Sequence, residues 1–180
     1  MAAPRNSAAA SLDLPLERDV FSRTLIRELA GTLEDVVGLE EAAGYISAVG
    51  SAMGDQINRD YKNAFAVSQL SREQVVDVLL DLKRRIKGSF YVVEESEDKV
   101  VFGNARCPFE DKVVGRRSMC MMTSNVFGHI AAENLGYGKV ELRETIADGH
   151  PECRVAVYFK PSAEAKAVEG REYVRRANNR

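Results

Sequence analysis

Residues 118–129 read SMCMMTSNVFGH, with Cys120 among Met119, Met121 and Met122 and then Thr123, Ser124 and Asn125. The spacing is helical, and the mixture suits two kinds of helix. One is a core helix with a few satisfied polar groups; the other lines a pocket, with soft apolar side chains beside hydrogen-bonding ones. Two further cysteines complete the set. Twelve residues lie between Cys107 and Cys120 and thirty-two between Cys120 and Cys153, which is not the close CxxC spacing of a zinc ribbon. Two readings stay open: three buried thiols acting as small hydrophobes, or one shared metal or redox site, with zinc or iron as the metal.

Glu144 bears on that choice. In the stretch KVELRETIADGHPECRVAVYFK, Val140, Leu142 and Ile146 alternate to one face, and Cys153, Val155, Val157 and Phe159 do the same on the next strand. If both sets face the core, the register pairs Glu144 with Cys153, placing a carboxylate on an apolar face. Such a group is expensive to bury unless paired, hydrogen-bonded or bound to metal. It then serves as a ligand beside Cys107, Cys120 and Cys153, or accepts bonds from Thr123, Ser124 and Asn125; a different register leaves it solvated. His129 and His150 read as a helix residue and a solvated turn residue. There is no nucleophile elbow, no phosphate-binding glycine loop and no HExxH. Cys120 near a helix start suits a nucleophile, yet no histidine is placed by sequence to act as its base. Enzyme activity is therefore not indicated; a thiol-dependent hydrolase using Cys120 and a structural adaptor with inert core cysteines are the alternatives to a sensing domain.

The elements that must position these residues follow from periodicity. Apolar residues recur at helical spacing from Leu14 to Leu39, with Pro15 suited to a first turn and Gly38 to a stop. A second helix covers 40–65 with a stripe through Ile46, Val49, Met53, Ile57 and Tyr61. Its glycines, Gly44, Gly50 and Gly54, point to close packing against another backbone. SREQ at 71–74 is a capping-box pattern that opens a third helix ending at Gly88. SFYVVEESEDKVVFGN reads as a hairpin, 107–115 as a loop, and 118–135 as a helix stopped by Gly136. The predicted fold is α+β: N-terminal helices packed on a small antiparallel sheet of two hairpins, with a further helix between the hairpins. Residues 1–13 read as a disordered lead, 14–160 as one sensory or regulatory domain, and 161–180 as a polar, partly helical tail with a basic end.

The 180 residues are 45% hydrophobic and 29% charged, a globular composition large enough for a real core. A net charge of −2, and an acidic EESED turn in the hairpin after the basic DLKRRIKG segment, give no reason to expect nucleic acid. No run is apolar enough to span a membrane, the N-terminal stretch lacks the apolar core of a secretory signal, and three cysteines are too few for a disulfide scaffold. A cytoplasmic protein with reduced thiols is expected.

The segment from Cys107 to Phe159 carries CPF, a cysteine before a helix, NLGY, ETIA followed by Asp-Gly, and a final CRV strand. This arrangement, with LIRELAGTLEDVVGLEEAAGYIS near the N-terminus, resembles the methanogen output domain family, found alone or attached to bacterial and archaeal signalling proteins. More distantly it is similar to the 4-vinyl reductase domain. That resemblance implies an α+β fold, a small-molecule pocket, and a zinc site built from cysteines and an acidic residue. Cys120 and Cys153 match cysteines of that pattern, Thr145 stands where a third is usual, and Cys107 is the available substitute. The expectation is a ligand- or redox-sensing regulatory domain. Its metal or redox site is Cys107, Cys120, Cys153 and Glu144, beside a pocket of Met119, Met122, Thr123, Ser124, Asn125 and Phe127. A small-molecule effector, and a partner signalling protein or second copy bound through the N-terminal helices, complete the reading.

Overall fold

The computed structural model describes residues 8–14 and 16–175. The disorder expected of residues 1–7, the role of Pro15 and the last residues of the basic tail lie outside the described residues. Residues Ala8–Ser11 form a single 3-10 turn. Three helices follow: α1 (Arg18–Val37), α2 (Leu39–Phe65) and α3 (Arg72–Arg85). The capping box forms as the sequence predicts, with the Gln74 amide N–H donating to Ser71 Oγ at 3.2 Å and the Ser71 N–H to Gln74 Oε1 at 2.9 Å. Next come β1 (Phe90–Glu95), β2 (Lys99–Asn104), α4 (Cys120–Leu135), β3 (Tyr137–Glu144) and β4 (Cys153–Tyr158). α4 ends at Gly136, whose φ of +90° is the left-handed conformation that glycine adopts freely.

The antiparallel sheet has five strands in the order β1-β2-β4-β3-β5, one more than two hairpins provide. The tail supplies it: after the short helix α5 (Ala163–Ala167), β5 (Arg171–Val174) pairs with β3. β5 was hidden in the sequence because its four residues, REYV, carry no apolar alternation. α4 lies between α2 and the sheet, and ten of its residues are buried, from Ser124 around to Asn134. That burial on every side explains why its apolar pattern has no single stripe. Phe127 on α4 meets Phe90 and Phe102 edge-on, with both ring centroids 5.6 Å away, at the centre of the main core.

Two of the glycines in α2 admit α4. A Cβ on Gly50 would stand 2.8 Å from the Asn125 Cβ and one on Gly54 3.1 Å from the His129 ring, whereas Gly44 has nothing within 4 Å. The same substitution therefore has opposite signs along one helix. Gly44→Ala raises stability by up to about 1 kcal/mol through helix propensity. Gly50→Ala lowers it by up to about 2 kcal/mol, because overpacking costs about 1–3 kcal/mol against that gain. Urea unfolding of the two variants reads the difference directly.

Candidate functional site

Four stretches meet at one end of the sheet. β2 ends at Asn104 and leads to Cys107; the 3-10 turn Arg117–Met119 delivers Cys120 as the first residue of α4; β3 ends near Thr145; and β4 begins with Cys153. The three cysteines line one cavity of about 30 Å³, together with Asn104, Thr123, Thr145, Met119 and the rings of Phe90 and Phe109. All three thiols are free. Burial pushes the Cys107 thiol up, outweighing the lowering effect of the Phe109 and Glu110 backbone N–H groups, and the Glu110 N–H donates to the Cys107 carbonyl at 2.9 Å. Burial pushes Cys120 further, to about 12, so it is a neutral thiol at physiological pH. The Cys153 sulfur accepts from the Ile146 N–H at 3.4 Å and the Asn104 side-chain amide at 3.9 Å.

Glu144 is not part of this cavity. A bulge between Leu142 and Glu144 shifts the register, so Glu144 pairs with Arg154 rather than with Cys153 and its side chain is exposed. The extra residue turns Thr145 inward instead, where it is 2% exposed and shares a hydrogen bond with Cys120. The alternation holds up to Leu142, and the one-residue bulge that follows turns Glu144 outward and Thr145 inward.

The predicted pocket residues also part company. Thr123 and Met119 reach the cysteine cavity, but Ser124 bonds the Tyr173 hydroxyl at 3.0 Å and Asn125 donates to Ser47 Oγ at 2.9 Å and to the Met121 carbonyl at 2.7 Å. Those two hold β5 and α2 onto α4. Phe127 belongs to the main core. Met122 faces the other way, into a groove of about 530 Å³ between α2, α3 and α4. The groove is lined by Met53, Ile57, Leu82, Ile86, Met122 and Val126, with Asp60, Tyr61, Lys83 and Arg85 as its polar groups. Tyr61 donates to the Asp81 carboxylate at 2.6 Å, as does Arg85. These bonds, with one from Arg84, hold Asp81 well below the usual carboxylate range. Met122 also walls a second apolar groove of about 300 Å³, formed with Leu29 and Leu33 of α1 and Tyr45, Ile46 and Val49 of α2.

Lys83 is the residue that sequence reasoning missed. Only 5% exposed, it reaches from α3 so that Nζ donates to Thr123 Oγ1 at 2.8 Å and lies 5.2 Å and 5.1 Å from the centroids of Phe90 and Phe127. Among the described residues no carboxylate pairs with it, and it lines the groove between α2, α3 and α4. Its place was visible in the spacing, since Val75, Leu79 and Lys83 stand four apart on one helical face.

The zinc or iron expected at the cysteines does not fit this arrangement. Among the described residues no three His, Cys, Asp or Glu side chains are disposed to hold one ion. The acidic ligand points to solvent, and the buried Lys83 ammonium stands behind Thr123, whose side chain lines the cavity. Neither histidine lines the cavity: His129 pairs with Asp55 at 2.7 Å, and His150 is exposed in its turn. The Cys120 nucleophile reading thus has no histidine base at the cavity.

Among solved structures, the phenol-responsive sensory domain of the transcription activator PoxR, bound to phenol, shares the fold at TM-score 0.60. Identity is 16%, with 86% of this chain and 81% of that one covered. Trafficking protein particle complex subunit 3 from Naegleria fowleri, covalently bound to palmitic acid, aligns at TM-score 0.55 and 12% identity over 87% of this chain and 99% of that one. No curated protein matches the chain. Across residues 25–158 the sequence matches methanogen output domain 1, and the chain belongs to that family.

Proposed function

We propose that this chain is a regulatory domain that senses a small apolar effector in the groove between α2, α3 and α4. The groove carries the reading: at about 530 Å³ it falls within the roughly 300–1,000 Å³ of ligand pockets, and apolar walls meet a few polar groups at its edge. The phenol-bound sensory domain with the same fold supports effector binding as its purpose. Met122 gives the signal a route, because it walls both this groove and the one between α1 and α2. An effector that displaces Met122 changes the packing beneath α1 and α2. Those helices expose Leu25, Leu29, Tyr45, Val49 and Met53, an apolar face suited to a partner signalling protein or a second copy. No helix among the described residues is long and apolar enough to cross a membrane.

The test is calorimetric titration with phenol and with 4-ethylphenol, on the natural chain and on Met122→Trp, which fills the groove from its shared wall. Saturable binding that Met122→Trp weakens by about tenfold or more supports the assignment; that loss is about 1.4 kcal/mol of contact. Binding unchanged in Met122→Trp removes the groove as the site. No binding of either phenol removes the phenolic class of effector.

A further inference from the structure

Among the described residues that line the groove between α2, α3 and α4, Lys83 is a buried charge without a counter-charge. We propose that the effector of this groove is a small apolar acid, whose carboxylate pairs with the Lys83 ammonium while its hydrocarbon part lies along the apolar walls. The inference rests on the groove being the effector site and narrows what that site takes.

The hydrogen-bond donors come first. An ammonium carries three N–H groups, and Thr123 Oγ1, at 2.8 Å, accepts from one of them. The Phe90 and Phe127 rings, with centroids 5.2 Å and 5.1 Å from Nζ, attract the charge through their faces but take no conventional hydrogen bond. Two donors are left, and Lys83 is only 5% exposed, so bulk water does not serve them. A carboxylate brings two acceptor oxygens and the missing charge together. Burial lowers this ammonium to about 8, a penalty on the charged form that a bound anion offsets.

The other charged groups of the groove are already partnered. The Arg85 guanidinium donates to Asp81 at 2.6 Å, and the Asp60 carboxylate accepts from the Gln56 amide at 2.7 Å. Both Arg85 and Asp60 are exposed, whereas Lys83 is buried. The ammonium therefore marks the deep end of the groove, and the paired groups mark its rim.

That layout selects the ligand. Met53, Ile57, Leu82, Ile86 and Met122 offer an apolar wall to whatever is attached to the acid. The unpaired charge of Lys83 matches a monoanion, and Asp60 at the rim repels a second negative charge at the outer end. A carboxylic acid, with an ordinary pKa of about 4, is ionised at neutral pH; a phenol, at about 10, is not. The acid is the class that meets the ammonium with an opposite charge.

The test is calorimetric titration of the full chain at neutral pH with a matched pair, 4-ethylbenzoate and 4-ethylbenzyl alcohol. They share the ring and the alkyl group and differ in the charged head. Expected is saturable binding of both, tighter for the benzoate by about tenfold or more, or about 1.4 kcal/mol. Lys83→Met and Lys83→Gln, each shown to be folded by circular dichroism, remove that preference, and Met122→Trp weakens both ligands. The comparison on the natural chain decides without any variant: equal affinity for the two, or no binding of the benzoate, overturns the proposal. A preference that survives in both Lys83 variants overturns it as well. If Met122→Trp still weakens the alcohol or 4-ethylphenol in those cases, the groove stands and the acid assignment alone has failed. Binding that Met122→Trp leaves unchanged removes the groove as the site, and this proposal with it.

Discussion

Replacing Lys83 with methionine stabilises the folded protein by about 2 kcal/mol at pH 7, a gain over the natural chain that fades between pH 8 and 10.5. Burial lowers the Lys83 ammonium from its ordinary 10.5 to about 8, despite the attraction of the three cysteines. Below pH 8 the group is charged whether the chain is folded or not, and the folded state bears the whole desolvation penalty. Between pH 8 and 10.5 the folded chain gives up this proton while the unfolded chain keeps it. The unfolded state then binds more protons, so stability rises with pH, and above 10.5 the penalty is gone. At about 1.36 kcal/mol per pH unit the difference is about 3 kcal/mol. Methionine keeps the apolar stem and drops the charge, but it leaves the Thr123 hydroxyl without its donor, a loss of about 1 kcal/mol. Urea unfolding of both proteins at several pH values reads this residue, because titrations not coupled to Lys83 cancel in the difference. A variant less stable than the natural chain at pH 7 would show that the ammonium is paired with a thiolate in the folded state.

The way Lys83 escaped notice shows what a sequence of this kind makes readable. Periodicity located the helices and both hairpins, because each rests on local rules: an apolar spacing, the Ser71 capping box, the glycine stop at Gly136. The three cysteines were worth grouping, and they do line one cavity. What spacing cannot express is a backbone irregularity. The bulge after Leu142 exchanges Glu144 for Thr145 at the inward position, and with it an acidic metal ligand for a hydroxyl. Nor does a run of adjacent polar residues reveal that each serves a different neighbour. Thr123 meets Lys83, Ser124 meets Tyr173 and Asn125 meets Ser47, since successive residues on a helix point about 100° apart. Lysine in DLKRRIKG reads as one of several surface cations until the helix is drawn with Val75 and Leu79 on the same face.

The same rotation along α4 separates two residues that the sequence placed in one pocket, and it sets the largest expected loss of stability. Phe127 is fully buried, with Phe90 and Phe102 against its ring and the Lys83 ammonium 5.1 Å above it. Phe127→Ala removes a side chain that nothing nearby is free to replace, because its neighbours belong to strands and helices fixed on three sides. A cost of about 3–5 kcal/mol follows from the lost transfer energy and the cavity left behind. Met122, five residues earlier, lines the two open grooves and packs only at the margin of the smaller core cluster around Ile46 and Met119. Met122→Ala costs about 2 kcal/mol or less, since solvent reaches the grooves beside this partly buried side chain. Chemical unfolding of the two variants therefore separates core from groove. Equal losses would mean that Met122 is packed as tightly as Phe127 and that no effector can enter beside it.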